Sequence, residues 1–146
     1  MSISFLQKSY LAGFLDGDGS IYVRLKPNST YKYGFQVAPY VVFFQSQKDE
    51  KKFESICSLV GCGHLRRRND GILEYIISKQ NSIRELLGWV KPYLLLKKEQ
   101  ADLMLEILDK KETVESKNDF IQLIDLVDKF RDLNYSKKRK KYTLTP

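Results

Sequence analysis

The sequence is poor in the residues that most often carry side-chain chemistry. It has two cysteines, Cys57 and Cys62, and one histidine, His64, in 146 residues. Two cysteines do not make a disulfide scaffold, which points to a reducing compartment. Cys57, Cys62 and His64 lack a fourth partner, whereas structural zinc sites are closed four-coordinate sets. Cys57 is better placed as a buried helix residue. With one histidine and no Ser/His/Asp or Cys/His pair, nucleophilic catalysis has no support. No glycine loop of the nucleotide-binding type is present either. Apolar runs are short, none approaching the roughly 20 residues of a membrane helix, and Met1 to Tyr10 has no signal-peptide pattern. Neither a spanning nor a conventionally secreted protein is expected, and a membrane is not an expected partner.

What is present suits one core and a polyanionic partner. The chain is 42% hydrophobic and 29% charged, enough apolar matter for a real core. Lys and Arg number 25 against 18 Asp and Glu, a net charge of +7. Residues 133–146 hold five of those positive charges and no acid, leaving +2 on the rest. We therefore expect one domain over residues 1–132 and a basic tail over 133–146 that binds nucleic acid. A merely solvated terminus is the competing reading.

Patterning supplies the elements. Ser4-x-x-Gln7 reads as a capping box opening a helix to about Gly17. Ile21, Val23 and Leu25 alternate with Tyr22, Arg24 and Lys26, a strand with one apolar and one cationic face. Pro27-Asn28-Ser29-Thr30 is a turn, and a second strand runs from about Phe35 to Gln47. Pro39 inside it predicts a bulge or an edge position. Phe53, Ile56, Cys57 and Val60 recur at helical spacing, with Gly61 as the stop. His64 to Arg68 and Ile72 to Ser78 form a strand pair joined by Asn69-Asp70-Gly71. Three further helices are marked by Ile83 to Val90 stopping at Pro92, by Ala101 to Leu108, and by Phe120 to Phe130 after Ser116-x-x-Asp119. A twice-repeated helix–strand–strand unit follows, an α+β fold with an antiparallel sheet and its helices on one face.

The other sheet face would carry Tyr22, Arg24 and Lys26, then His64, Arg66 and Arg68, then Ile72, Glu74 and Ile76. A twisted ribbon bearing Arg, Lys, Glu and aromatic groups fits the DNA major groove, where each base pair shows its own donor and acceptor pattern. The bland alternative is a solvated sheet face, normal for antiparallel sheets.

The chemistry-bearing stretch is Leu11-Ala12-Gly13-Phe14-Leu15-Asp16-Gly17-Asp18-Gly19. Gly13 and Gly17 lie four apart on one helical face, at a cost of roughly 1 kcal/mol each against alanine. Close contact with another helix would account for them. Asp16 and Asp18 fall at the helix C-terminus, where the dipole disfavours negative charge and a bound cation would offset it. By itself Asp-Gly-Asp-Gly could be a plain turn into the strand.

The nine residues resemble the LAGLIDADG signature at six positions, with Phe14, Leu15 and Gly17 as mild replacements. The element order also resembles that family's αββαββα core, a four-stranded antiparallel saddle followed by C-terminal helices. The spacing of Lys26-Pro27-Asn28, Gln47-Lys48, Pro92 through Lys97, and Leu133-Asn134 with Ser136-Lys137 is similar to that of intron-encoded algal chloroplast members. Only one copy of the motif is present, as in homodimeric LAGLIDADG homing endonucleases. The resemblance implies a dimer interface at Ala12, Gly13, Asp16 and Gly17, and a metal-binding carboxylate at Asp18 with the Gly17 carbonyl beside it. Two Asp18 groups brought together would repel unless divalent ions bind between them. Oxygen donors suit Mg²⁺, two or three ions per dimer, with Mn²⁺ as a substitute. By resemblance Gln47 orders water in the active site, and Lys97 and Lys51 supply cationic stabilisation, although either lysine could be an ordinary solvated helix residue.

The expected base-reading set is Tyr22, Arg24, Lys26, Asn28, Tyr31, His64, Arg66, Arg68, Glu74 and Ile76. Ser136, Lys137, Arg139, Lys140 and Lys141 would hold phosphate. The second strand departs from those members: it is two residues longer and strongly apolar at Val41-Val42-Phe43-Phe44. Its register around Pro39 leaves Val42 and Phe44 open to either face, and with them Gln36, Tyr40 and Gln45 as contacts. The implied function is a metal-dependent DNA endonuclease, cutting a long pseudo-palindromic duplex to leave 3′ overhangs and promote intron mobility. An organellar setting, chloroplast or mitochondrion, is implied in the same way. The alternative is an RNA maturase, with intron RNA as partner, or a non-cleaving nucleic-acid-binding module of the same fold.

Overall fold

The capping box at Ser4 is formed: its hydroxyl accepts from the Gln7 N–H and the Gln7 side chain accepts from the Ser4 N–H. These and all following contacts come from a computed structural model describing residues 3–134. From that cap, helix α1 (Phe5–Asp18) runs directly into strand β1 (Gly19–Pro27) with no residue between them. There follow β2 (Phe35–Ser46), α2 (Glu50–Val60), β3 (His64–Arg67), β4 (Ile72–Ile77), α3 (Gln80–Val90), α4 (Lys98–Glu112) and α5 (Lys117–Leu133). The strands form one sheet in the order β1-β2-β4-β3, with β4 antiparallel to both its neighbours. No described helix is long and apolar enough to cross a membrane.

The chain forms two compact units, both including parts of the stretch expected to be one domain. The first comprises α1 up to Ile21 together with Tyr40–Lys98. Here α1 turns Leu11, Ala12 and Leu15 fully inward and lies against α3 and the short turn Lys91–Tyr93. Phe14 rests on Phe43 and Phe53, with ring centroids 5.8 and 6.1 Å apart. Ile83, Leu86, Leu87 and Val90 complete the apolar face of α3. Gly61 ends α2 in the left-handed region (φ 74°), a conformation that glycine adopts without a Cβ penalty.

The second unit comprises Tyr22–Pro39 and the chain from Glu99 onward. Its core includes Val23, Leu25 and Val37 with Ala101, Met104, Leu108, Phe120, Leu123, Val127 and Phe130. The Ser116 hydroxyl accepts from the Asp119 N–H and starts α5, as the spacing predicts. Between β1 and β2 the Asn28 carboxamide accepts from the Thr30 N–H (3.0 Å) and hydroxyl (2.7 Å). Tyr33 stacks on Phe120 at 5.0 Å between centroids.

Pro39 does not mark an edge, because β2 lies between β1 and β4. The Gln47 N–H donates to the Gly71 carbonyl (2.8 Å) on the β4 side. Strand alternation aims the missing donor of Pro39 to that same side, beyond the last registered pair, Val41 with Ile77. An interior strand therefore tolerates the proline without forfeiting a bond to β4.

Candidate active site and nucleic-acid interface

The α1–β1 junction fixes Asp18. A Cβ on Gly19 would stand 2.5 Å from Leu15 Cδ1 and 2.9 Å from the Leu15 carbonyl oxygen, so the chain can leave the helix this abruptly only at glycine. Asp18, the last helical residue, is consequently held exposed, and Gly17 beside it is exposed too. A Cβ on Gly13 or Gly17 would meet nothing within 4 Å, so this face of α1 is bare among the described residues. Ala12 corrects the expected interface set: it is 0% exposed, facing inward with Leu11 and Leu15, and has no surface to offer a second copy.

Asp16 behaves unlike a simple interface residue. Its carboxylate accepts from the backbone N–H groups of Leu95 (2.8 Å), Leu96 (3.2 Å) and Lys97 (3.0 Å). The Lys97 ammonium in turn donates to the Asp16 carbonyl at 2.7 Å. Lys97 precedes α4 instead of lying on a helix surface, and its charge meets the negative end of the α1 dipole. Gln47 is exposed where β2 gives way to a single helical turn, and Lys51 is exposed in the first turn of α2. No hydrogen bond joins either of them to Asp18 among the described residues. Nearby Glu50 receives two bonds from Arg67, at 2.9 and 3.0 Å, and this guanidinium holds the Glu50 carboxyl below its ordinary value.

Asp18, with the Gly17 carbonyl, offers hard oxygen donors at an exposed helix terminus, a donor set that fits Mg²⁺. Among the described residues no group of three or more His, Cys, Asp or Glu could hold a metal ion. The thiols are unsuited to it: Cys57 is buried and burial pushes its pKa up to about 11.

Register settles the faces of the first unit. Val42, Phe44 and Ser46 oppose Ile76, Glu74 and Ile72, while His64 and Arg66 oppose Ile76 and Glu74 from the other side. Leu73, Tyr75 and Ile77 are the buried alternates of β4, so these groups share the opposite face. Arg66 pairs with Glu74 at 3.3 Å, and Arg68 pairs with Asp70 in the adjoining turn. Val42 is 0% exposed despite its outward position, whereas Phe44 is half-buried. Gln45 opposes fully buried Leu73, which removes it from the outer face. The sequence could not place Phe44 because a strand's facing depends on register, and the Pro39 stretch obscured it.

In the second unit Ile21 apart, the β1 alternation holds, with Val23 and Leu25 buried and Arg24 exposed. Tyr22 and Lys26 are half-buried, and Tyr31 at the loop is 44% exposed. Asn28 spends its carboxamide oxygen inside the loop, leaving its N–H₂ group as the donor it can present. Ser136, Lys137, Arg139, Lys140 and Lys141 lie outside the described residues.

Known proteins share this fold. The profile of the LAGLIDADG endonuclease family matches residues 11–108, spanning the motif helix, the sheet and the Asp16–Lys97 contact. The chain belongs to the LAGLIDADG endonuclease family. Within that family it is 36% identical over 134 residues to the DNA endonuclease I-CreI of Chlamydomonas reinhardtii, covering 90% of this chain and 80% of that one. It is 34% identical to the DNA endonuclease I-CvuI of Chlorella vulgaris, covering 92% and 83%. A crystal structure of I-CvuI with its target in the presence of 2 mM Ca superposes with a TM-score of 0.85 at 31% identity, covering 96% of this chain and 88% of that one. A second, with the I-CreI target in 2 mM Mg and the DNA not cleaved, gives 0.84 at 32% identity over 95% and 87%.

Proposed function

We propose that this chain is a homing endonuclease that acts as a homodimer on a long pseudo-palindromic DNA site. The observation that carries the reading is the open edge of α1: Gly13 and Gly17 bare, Asp18 exposed beside them, in a chain of an endonuclease family. Joining two copies along this edge would cover the glycines and bring two Asp18 carboxylates together. Bound there, two or three Mg²⁺ ions per dimer, or Mn²⁺ in their place, would supply charge neutralisation at the scissile phosphates and an activated water.

The chain's own residues do the rest. Asp18 and the Gly17 carbonyl provide the oxygen ligands. Gln47 orients water, and Lys97 and Lys51 stabilise the negative charge that builds on the phosphate during displacement. Arg66, Arg68, His64, Glu74 and Ile76 read base edges from the first unit, with Tyr22, Arg24, Lys26, Asn28 and Tyr31 doing so from the second. Ser136, Lys137, Arg139, Lys140 and Lys141 add phosphate contacts that carry no sequence information. Cutting both strands leaves 3′ overhangs and allows an organellar intron to spread.

A cleavage selection from a partly randomised pseudo-palindromic library, in Mg²⁺ and in chelator, tests this. Discrete metal-dependent double-strand cuts are expected, and Asp18→Asn should abolish them while leaving site protection intact. Protection without cutting by the wild type would indicate a binding module, and neither result would direct the search to intron RNA.

A further inference from the structure

We infer that Asp16 is a positioning residue for Lys97, holding that lysine in place for the cleavage step; this rests on the endonuclease reading above. The segment Leu95–Lys97 has little else to fix it. Leu94 before it is buried, but Leu95 and Leu96 are 88% and 73% exposed, so their side chains give it no apolar anchor among the described residues. What holds it is one carboxylate accepting three consecutive backbone N–H groups. Charge-assisted bonds of this kind are roughly twice as strong as neutral ones.

The same residue grips Lys97 a second time, because the Asp16 carbonyl accepts from the Lys97 ammonium. Backbone and side chain of the lysine are thereby both referenced to the last turn of α1, two residues before Asp18. A flexible lysine otherwise loses considerable rotamer freedom when it must meet a developing charge. Here that freedom is removed before substrate arrives, which is the requirement for electrostatic preorganisation.

Asp16→Asn isolates this role. The carboxamide matches the carboxylate in shape but places an N–H₂ donor where one of the backbone donors must be received. We would compare wild type, Asp16→Asn, Lys97→Met and the double variant as full chains on the selected DNA site. The readouts are single-turnover cleavage in Mg²⁺, site affinity in Ca²⁺, dimer mass and hydrogen exchange at amides 95–97. Asp16→Asn should slow cleavage about 10- to 100-fold, the usual cost of losing a supporting contact or of a misplacement near 1 Å. Affinity and mass should be unchanged and amides 95–97 should exchange faster. The double variant should be no slower than Lys97→Met, since both changes remove one function.

Additive losses in the double variant would overturn the inference, as would wild-type cleavage by Asp16→Asn. Loss of dimer or of affinity in Asp16→Asn would make Asp16 an interface residue and overturn it too. If wild type never cuts, the endonuclease reading falls and the catalytic purpose of the clamp falls with it, while amide exchange still reports whether the clamp exists.

Discussion

The two sides of α1 are built from the same fourteen residues and obey different rules. One side, Leu11, Ala12 and Leu15, is closed by the chain itself; the other, with Gly13, Gly17 and Asp18, is open. On the closed side a change of volume is a change of stability. On the open side the fold tolerates change, and only an external partner or substrate would register it. On the proposed function the difference teaches that the helix is mostly a mount, with its chemistry on the face that contributes least to folding.

The largest effect expected is that of Asp18→Asn: cleavage falls below detection with the melting temperature unmoved, because an exposed carboxylate is exchanged for its isostere. A cleavage gel beside a thermal scan checks both halves. Next is Gly13→Leu, which should leave a folded monomer where a dimer is proposed for the wild type, since no atom of the described residues obstructs the new side chain. A folded dimer would blur the contrast by showing that the open side is not an interface. Leu15→Ala should do the reverse and destabilise the fold by about 2–5 kcal/mol, read by denaturant titration. A modest change of preference is expected from Phe44→Gln, because an apolar group on the outer face suits a thymine methyl and an amide suits adenine. Repeating the cleavage selection with that variant reads it out.

Arg67→Ala should have the smallest effect. Glu50 has its carboxyl held below the ordinary glutamate value by the Arg67 hydrogen bonds, so the folded state binds that proton less readily than the unfolded chain. Its contribution is complete above the ordinary glutamate value and disappears as pH falls through the lowered one. The melting-temperature gap between wild type and Arg67→Ala should therefore be slight at neutral pH and close in acid. A gap that widens in acid would reverse the sign.

Much of this was legible in the chain because it is local. The Ser4 and Ser116 caps, the Gly61 stop, the Asn69-Asp70-Gly71 turn and the alternation of Ile21 to Lys26 each depend on residues a few positions apart. The Asp16 grip on residues 95–97 was not legible, since no periodicity links groups that distant in sequence. Ala12 was misplaced because a motif names neighbours without saying which side of the helix each takes. The stack of Tyr33 on Phe120 has no local signature for the same reason as the Asp16 contact: aromatic partners are brought together by tertiary packing. Phe44 needed the strand register, and the register is a property of two strands together.

The absence of any residue between α1 and β1 carries an evolutionary consequence. Inserting one residue after Asp18 would advance β1 by a half-period and turn Ile21, Val23 and Leu25 out toward water. Deleting one would do the same. Lineages carrying this protein can thus drift in which side chain occupies each outward position, but not in the number of residues separating those positions from the acidic helix end. On the proposed function, new targets would be reached by exchanging outward side chains on a fixed frame, with changes of length accommodated away from the α1–β1 junction.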